Sequence, residues 1–486
     1  HPALAGCNRD DGPCTTASDC DAEQHCLVDH DSGEGQCLAT PGRAEAPPPL
    51  RWFANAGHTD LLLVVDDGPG TAAIQARLVA SLDALVEPAR LRNDDLRVAV
   101  TTTTVASPAC DSGSEGSGAL VAHSCLDRLD DFVGPDGTDA RWLCTDACRY
   151  TSEELGLDAT HPWLDVRRLP ASIEPADALA CLVPQGISGC EYAAPLEALQ
   201  AALDRESADD AVGWLRYPWP VQVVVATDGV DCSLTPEGAA AFDPAGARAL
   251  WSDPTADAPT EAVCWSAGVV CEGDPQGYDD CMATDVGLDG APTETSPVLV
   301  PMSTYETGPR PDYTLSLHVI GGVPVDDPQP AGYSAAGDPQ WLLEHGVDPG
   351  CSDDELAALP PVRLRDLAEG FASACAPDYR DVLGARVGGA SICLPPCQAE
   401  ALQITYEPIE GEPVAIPACA GAFPDLQPPE GAPACWHLEA DSPGCAQAEP
   451  GAVELRMHTT EIWETGAFLL EPNLVSPRLD LPGCAS

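Results

Sequence analysis

Two stretches of this chain are apolar with almost no polar alternation: Leu61–Val65 (LLLVV) and Val221–Val225 (VQVVV). A strand with one wetted face alternates, whereas a continuous run suits a strand covered on both faces, as in a parallel sheet. The first run ends in Asp66 and Asp67 and a Gly-Pro-Gly turn. Ile74, Leu78, Leu82, Leu85 and Val86 then recur at helical spacing and predict one amphipathic helix. Leu96–Thr101 predicts a second strand and Tyr192–Leu203 a helix. Tyr313–Val323 predicts a further strand, in which His318 is expected as a satisfied core histidine. Val362–Ala374 predicts a helix with Leu364, Leu367, Ala368 and Phe371 on one face. Strands alternating with helices indicate an α/β fold, a doubly wound and mostly parallel sheet, over residues 57–392. After Cys393 the helical period stops and Pro becomes frequent. Leu402–Tyr406, Val453–Met457 and Thr459–Trp463 read as short strands of a small disulfide-stapled β-rich module, 393–486.

Composition adds two constraints. The 486 residues exceed one ordinary core. They carry 78 acidic against 22 basic residues, a formal charge of −56, and no Lys. Such a surface repels phosphate backbones, which argues against nucleic acid as a partner. It attracts cations, either as a soluble surface for salty surroundings or as a calcium store. The 23 Cys are an odd number. Leu4-Ala5-Gly6-Cys7 resembles a bacterial lipobox, so residues 1–7 are expected to be a signal-peptide remnant with Cys7 as the acylated residue and membrane anchor. The alternative is a chance match, with Cys7 paired elsewhere; His1 stands before it. Without Cys7 the count is 22, in locally even groups that suggest local disulfides in an oxidising compartment, Cys181–Cys190 closing a short loop among them. Residues 8–40 read as a Cys-rich module and 41–56 as a Pro-rich linker. No apolar run is long enough to span a bilayer.

Carboxylates are the candidate chemistry. Asp66 and Asp67 follow the first apolar run, and Asp228 and Asp231 follow the second, in TDGVDCS. Turns after parallel strands lie at the carboxyl edge of the sheet, where ligands bind. Asp130, Asp131, Asp136 and Asp139, in a stapled insertion over 106–160, are either calcium ligands or solvated loop acids. There is no G-x-S-x-G, H-E-x-x-H or phosphate-loop motif, so an enzyme is not expected. A hydrolase using paired carboxylates is the remaining catalytic alternative.

Three stretches in order, LLLVVDDGPGT, QVVVATDGVDCS and the run from VCWSAGVVC through LVPMSTYETG to LSLHVIGGVP, together with GCEYAAPLEAL, resemble the von Willebrand factor A-like domains of bacterial surface lipoproteins. The likeness covers roughly residues 60 to 390. It implies a metal-ion-dependent adhesion site built on Asp-x-Ser-x-Ser with a Thr and an Asp from other loops, suited to Mg²⁺. Asp66 matches the first Asp and Asp228 the later one. Gly68 and Gly70 stand where the serines belong, and Ser188 lies in the loop of the Thr. Two readings stay open. In one, Asp66, Asp67, Asp228 and Asp231, with Ser188, form an oxygen site that prefers Ca²⁺ over Mg²⁺. In the other, the metal is gone and the acids cap turns. The resemblance implies a lipid-anchored, extracytoplasmic binding or adhesion protein of the bacterial envelope with a protein or polysaccharide ligand, or else a structural envelope protein with a vestigial site.

Overall fold

The computed structural model describes residues 58–384 apart from 93–94, 108, 111–116, 207–211, 217–220, 307–314, 327 and 330–332. Outside that span it describes 13–14, 24–28, 35–39, 50–52, 392–394, 402–408, 414–420, 429, 434–440, 453–459 and 466–472. Cys7, most of the Pro-rich linker and the Cys397, Cys445 and Cys484 positions lie outside the described residues. The chain forms two compact units. One gathers residues 1–52, 394–416 and 467–486, the other 53–393 and 417–466. The first holds a three-stranded antiparallel sheet of Pro13–Cys14, Gln24–Val28 and Gly35–Ala39. Leu50–Trp52, Leu402–Pro408, Val414–Ile416 and Gly466–Pro472 form a four-stranded sheet.

The second unit is mixed α/β and is built on six strands: β1 His58–Val65, β2 Asp95–Thr102, β3 Trp163–Asp165, β4 Val221–Ala226, β5 Leu315–Gly321 and β6 Gly370–Ser373. Their order is β6-β5-β4-β1-β2-β3. Every neighbouring pair is parallel except β2 with β3. The two apolar runs lie side by side, in register from Asp60 opposite Val221 to Val65 opposite Ala226. Leu61, Leu63 and Val65 pack on one face with α1 Ala72–Ala80, α2 Leu82–Arg92 and α3 Pro175–Leu182. Leu62 and Val64 pack on the other with α4 Pro195–Glu206 and Trp214. Burial on both faces is why β1 shows no alternation. Each fully buried Leu contributes about 1.5–3 kcal/mol relative to exposure.

Four expectations change. The helix after Gly-Pro-Gly is two helices. Ser81 Oγ donates to the Arg77 carbonyl (2.7 Å) and accepts the Tyr379 N–H (2.8 Å), turning the chain between α1 and α2. All five spaced apolar residues remain buried. The segment between β4 and β5, for which the sequence suggests a long Cys-bearing loop to about residue 311, contains α5 Ala262–Gly268 and a hairpin of Val269–Asp274 with Gly277–Ala283; beyond β5 the chain forms α6 Pro339–His345. These pack around Trp251, Trp265 and Tyr333 in a core of their own. Val362–Ala374 is not one helix. A short α7, Val362–Arg365, gives way to the edge strand β6. Gly370 pairs with His318 of β5, and a Cβ there would lie 3.1 Å from the His318 ring. The helix-like spacing of Leu364, Leu367, Ala368 and Phe371 reflects contact with the same core by two different elements.

The disulfides also cross the expected groups. Cys181 pairs with Cys148 and Cys190 with Cys110, so no Cys181–Cys190 loop exists. Cys181 sits buried on α3 and ties the 106–160 insertion to it. The other pairs among the described residues, all local in sequence, are Cys125–Cys144, Cys232–Cys264, Cys271–Cys281, Cys351–Cys375 and Cys419–Cys435. In the insertion Asp136 accepts the N–H and hydroxyl of Thr138, Asp139 pairs with Arg141, and Asp131 lies 3.6 Å from Arg128.

Candidate functional site

The strand order reverses direction between β1 and β4, and the chain leaves both at the same edge. Asp66 and Asp67 follow β1, Thr103 and Thr104 follow β2, and Thr227 and Asp228 follow β4. A crevice at such a switch point is the usual ligand position in open α/β sheets.

Asp66 is the buried floor, 2% exposed. Its Oδ1 accepts the Gly68 N–H (3.0 Å) and the Thr103 hydroxyl (3.0 Å), and its Oδ2 accepts the Thr227 hydroxyl (2.5 Å). Burial raises its carboxyl, and these three donors pull it back in part. Asp67 is half-buried and accepts the Thr104 hydroxyl (2.8 Å). Burial first, then the Asp66 charge, pushes Asp67 up to about 7. Asp228 is half-buried and raised well above the usual range by burial, then by Asp66 and Glu261. Neighbouring carboxylates in a poorly solvated place cannot all ionise without a counter-charge.

The loop at 185–190 forms a third wall. Gly189 N–H donates to the Asp67 carbonyl (2.8 Å), and a Cβ at Gly189 would lie 2.3 Å from the Asp67 carboxyl carbon. Cys190 N–H donates to Thr104 Oγ1 (2.8 Å), which passes its own hydrogen to Asp67. Gln75 of α1 pins this loop: its Nε2 donates to the Asp66 and Gly186 carbonyls (2.8 and 2.6 Å), and its Oε1 accepts the Gln185 N–H (2.8 Å).

Of the residues singled out from sequence, Asp66, Asp67 and Asp228 share the crevice. Asp231 faces elsewhere. It accepts from Arg363 Nε (3.0 Å), the Ser233 hydroxyl (2.7 Å) and the Leu196 N–H (3.2 Å), a buried ion pair behind the β4 turn. The Ser188 side chain is exposed, and its N–H donates to the Asp131 carbonyl. The two glycines in the serine positions are fixed by the backbone. A Cβ at Gly68 would stand 2.8 Å from the Cys190 carbonyl oxygen, and Gly70 has φ +99°, a region costly for any side chain. Among the described residues, the group of three or more His, Cys, Asp or Glu side chains whose ligand atoms fall within 4.8 Å of one another is Cys125, Cys144 and Cys148. Disulfides occupy all three sulfurs. The crevice acids are therefore spaced more widely than a preformed, tightly drawn metal cage.

Thr103, Thr104, Thr227, Gln75 and Glu261 were not read from the sequence as site residues. The Thr101–Thr104 run and Thr227 carried a usable signal, since they are hydroxyls at the same strand-end level as the acids. Gln75 looked like an ordinary helix residue, and Glu261 comes from another segment.

No family model matches the chain, and no curated protein matches it. Two crystal structures of the pilus adhesin SpaC from Lactobacillus rhamnosus GG are similar in part, one of them in an open conformation. Identity is 11% and 10% and the TM-score is 0.27 for each. The alignments cover 86% of this chain and 39% and 38% of the adhesin, so the chain spans less than half of that protein's length. A likeness this loose carries neither fold nor function across.

Proposed function

We propose that the α/β unit is a von Willebrand factor A-like binding module of an exported bacterial envelope protein, and that its crevice engages a protein or polysaccharide partner with help from a hard divalent cation. The carrying observation is the crevice itself, with Asp66, Asp67 and Asp228 beside three threonine hydroxyls at the junction of β1, β2 and β4. The mostly parallel sheet with helices packed on both faces supports the family reading. The disulfides among the described residues support an oxidising, extracytoplasmic location. No helix among the described residues is long and apolar enough to cross a membrane, and attachment through an acyl group on Cys7 belongs to this proposal. The role is binding, not catalysis.

Asp67 and Asp228 are half-buried at the crevice, and Asp66 beside them is buried with three donors already on it. With both serine hydroxyls replaced by glycine, such a set suits Ca²⁺, which tolerates irregular oxygen shells, better than Mg²⁺. Affinity is expected to be weak, on the order of 10⁻⁴–10⁻³ M as in extracellular calcium modules. Calorimetry with CaCl₂ and MgCl₂ tests this. Asp228→Asn keeps the shape and removes a charge, and is expected to weaken Ca²⁺ at least about tenfold. Silent traces for both cations with the unaltered chain would remove the cation clause.

The saturation of Asp66 and the left-handed Gly70 favour a second reading, a structural module whose acids stay partly protonated. Recovery of a specific envelope partner only when Ca²⁺ is present would exclude it.

A further inference from the structure

Glu261 stands at the amino end of α5, 7% exposed, far in sequence from either strand-end motif. Its two oxygens are used differently. Oε1 accepts the Val230 N–H at 3.1 Å, on the turn that carries Asp228. That oxygen also fills the space a side chain at Gly229 would need, 2.7 Å from the position of a Cβ. Oε2 meets Nδ1 of His345 at 2.9 Å. His345 ends α6, with its ring 3.9 Å from that of Trp341. Thr260, next to Glu261, donates to the Leu343 carbonyl (2.9 Å), so the start of α5 and the end of α6 are bound together twice.

The Thr227 N–H donates to the Ile320 carbonyl (3.1 Å), and just beyond the Asp228 turn Cys232 is bonded to Cys264 of α5. Gly229 N–H donates to Thr227 Oγ1 (3.1 Å), and the Asp228 carbonyl accepts the Leu359 N–H (2.7 Å). A turn with glycine at its centre is free to change conformation unless something outside holds it. Glu261 holds Val230, two residues past Asp228, from outside the turn, as the Leu359 N–H holds Asp228 itself. Its negative charge also bears on the site, since it is among the groups that raise the Asp228 carboxyl.

We infer that Glu261, braced by His345, is a positioning residue of the crevice: it fixes the Thr227–Val230 turn through the Val230 N–H and so sets where the Asp228 carboxylate points. This rests on the crevice being the binding site, and it adds a link from that site to α6. Binding at Asp228 and the geometry of the Glu261–His345 pair then depend on each other, because linkage is reciprocal.

The test uses the full disulfide-bonded chain and two readouts. The first is amide hydrogen exchange of residues 227–231 without added metal. Glu261→Ala removes the acceptor and is expected to speed exchange at Val230 at least about tenfold, the scale of losing a hydrogen bond to a charged group. Glu261→Gln retains an acceptor oxygen and is expected to keep most of the protection. His345→Leu frees Oε2 and is expected to fall between them, which covers the case in which Glu261→Ala folds poorly. Equal exchange in all four proteins overturns the inference whatever the cations do. The second readout is Ca²⁺ calorimetry. Affinity is expected in the order unaltered chain, then Glu261→Gln, then Glu261→Ala, with about a tenfold span. If Glu261→Gln binds as poorly as Glu261→Ala, charge and not positioning is what Glu261 supplies, and the inference fails. If the unaltered chain gives no heat but Glu261→Ala alone exchanges faster, the cation reading fails and the positioning role stands.

Discussion

Asp67 is the residue at which the crevice's electrostatics can be measured. Its folded carboxyl titrates at about 7, raised by burial and by Asp66. In the unfolded chain the same group titrates near about 4. Between those values the folded chain holds a proton that the unfolded chain has released. The stability this gives is complete below about pH 4 and is lost as pH rises through about 7. The full shift corresponds to about 4 kcal/mol at most, less because solvent reaches the half-buried group. Asp66, Asp228 and Glu261, all raised, act in the same direction. Asp127 and Asp353, lowered by hydrogen bonds from Ser152 and Glu355, act oppositely and weaken the fold only in stronger acid. The metal-free chain is therefore expected to melt at a lower temperature at pH 8 than at pH 5. Asp67→Asn, which cannot ionise, is expected to narrow that gap in thermal scans; an unchanged gap would show that Asp67 titrates normally. Asp66, Asp67 and Asp228 were legible because they follow continuous apolar runs. Gln75 and Glu261 were not, because a buried polar residue on or beside a helix looks the same in sequence as an exposed one.

At the scale of elements, the strand pair β1–β4 could be read because burial on both faces writes itself as an unbroken apolar run. The edge strand β6 could not. An edge strand packed on one side, following a one-turn helix, reproduces helical spacing, and only Gly370 hinted at the break. Disulfide partners were illegible for a combinatorial reason: even local counts do not choose among pairings. The consequential error concerned Cys190, whose bond to Cys110 fastens the crevice wall to the segment after β2 across 80 residues of sequence. Its carbonyl crowds Gly68 and its N–H reaches Thr104. Cys110→Ser with Cys190→Ser is expected to cost about 2–4 kcal/mol. The lower part of that range is favoured because Cys125–Cys144 and Cys148–Cys181 already constrain the enclosed chain. Limited proteolysis is expected to find new cleavage near 186–190. A variant that melts normally and resists cleavage there would show that hydrogen bonding alone, chiefly through Gln75, holds the wall.

For the molecule as a whole the dominant fact is a charge of −56 with few cations to offset it. Several arginines are already committed: Arg216 to Asp60 and Asp95, Arg363 to Asp231, Arg77 to Asp353, Arg380 to Asp83. Most acids therefore repel one another across the surface, and the compact state bears more of that repulsion than the expanded chain. Salt shortens the range of the repulsion, from about 10 Å at 0.1 M to about 3 Å at 1 M. Raising NaCl from 0.1 to 1 M is expected to raise the melting temperature by several degrees, the reverse of a fold that depends on surface ion pairs. The crevice makes a separable contribution. At fixed ionic strength, replacing part of the NaCl with a few millimolar CaCl₂ is expected to raise the midpoint further through binding to the folded state alone. Asp228→Asn is expected to lose that second increment and keep the first. If calcium stabilises the variant and the unaltered chain equally, the ion acts on the acidic surface at large, and the crevice has no share in it.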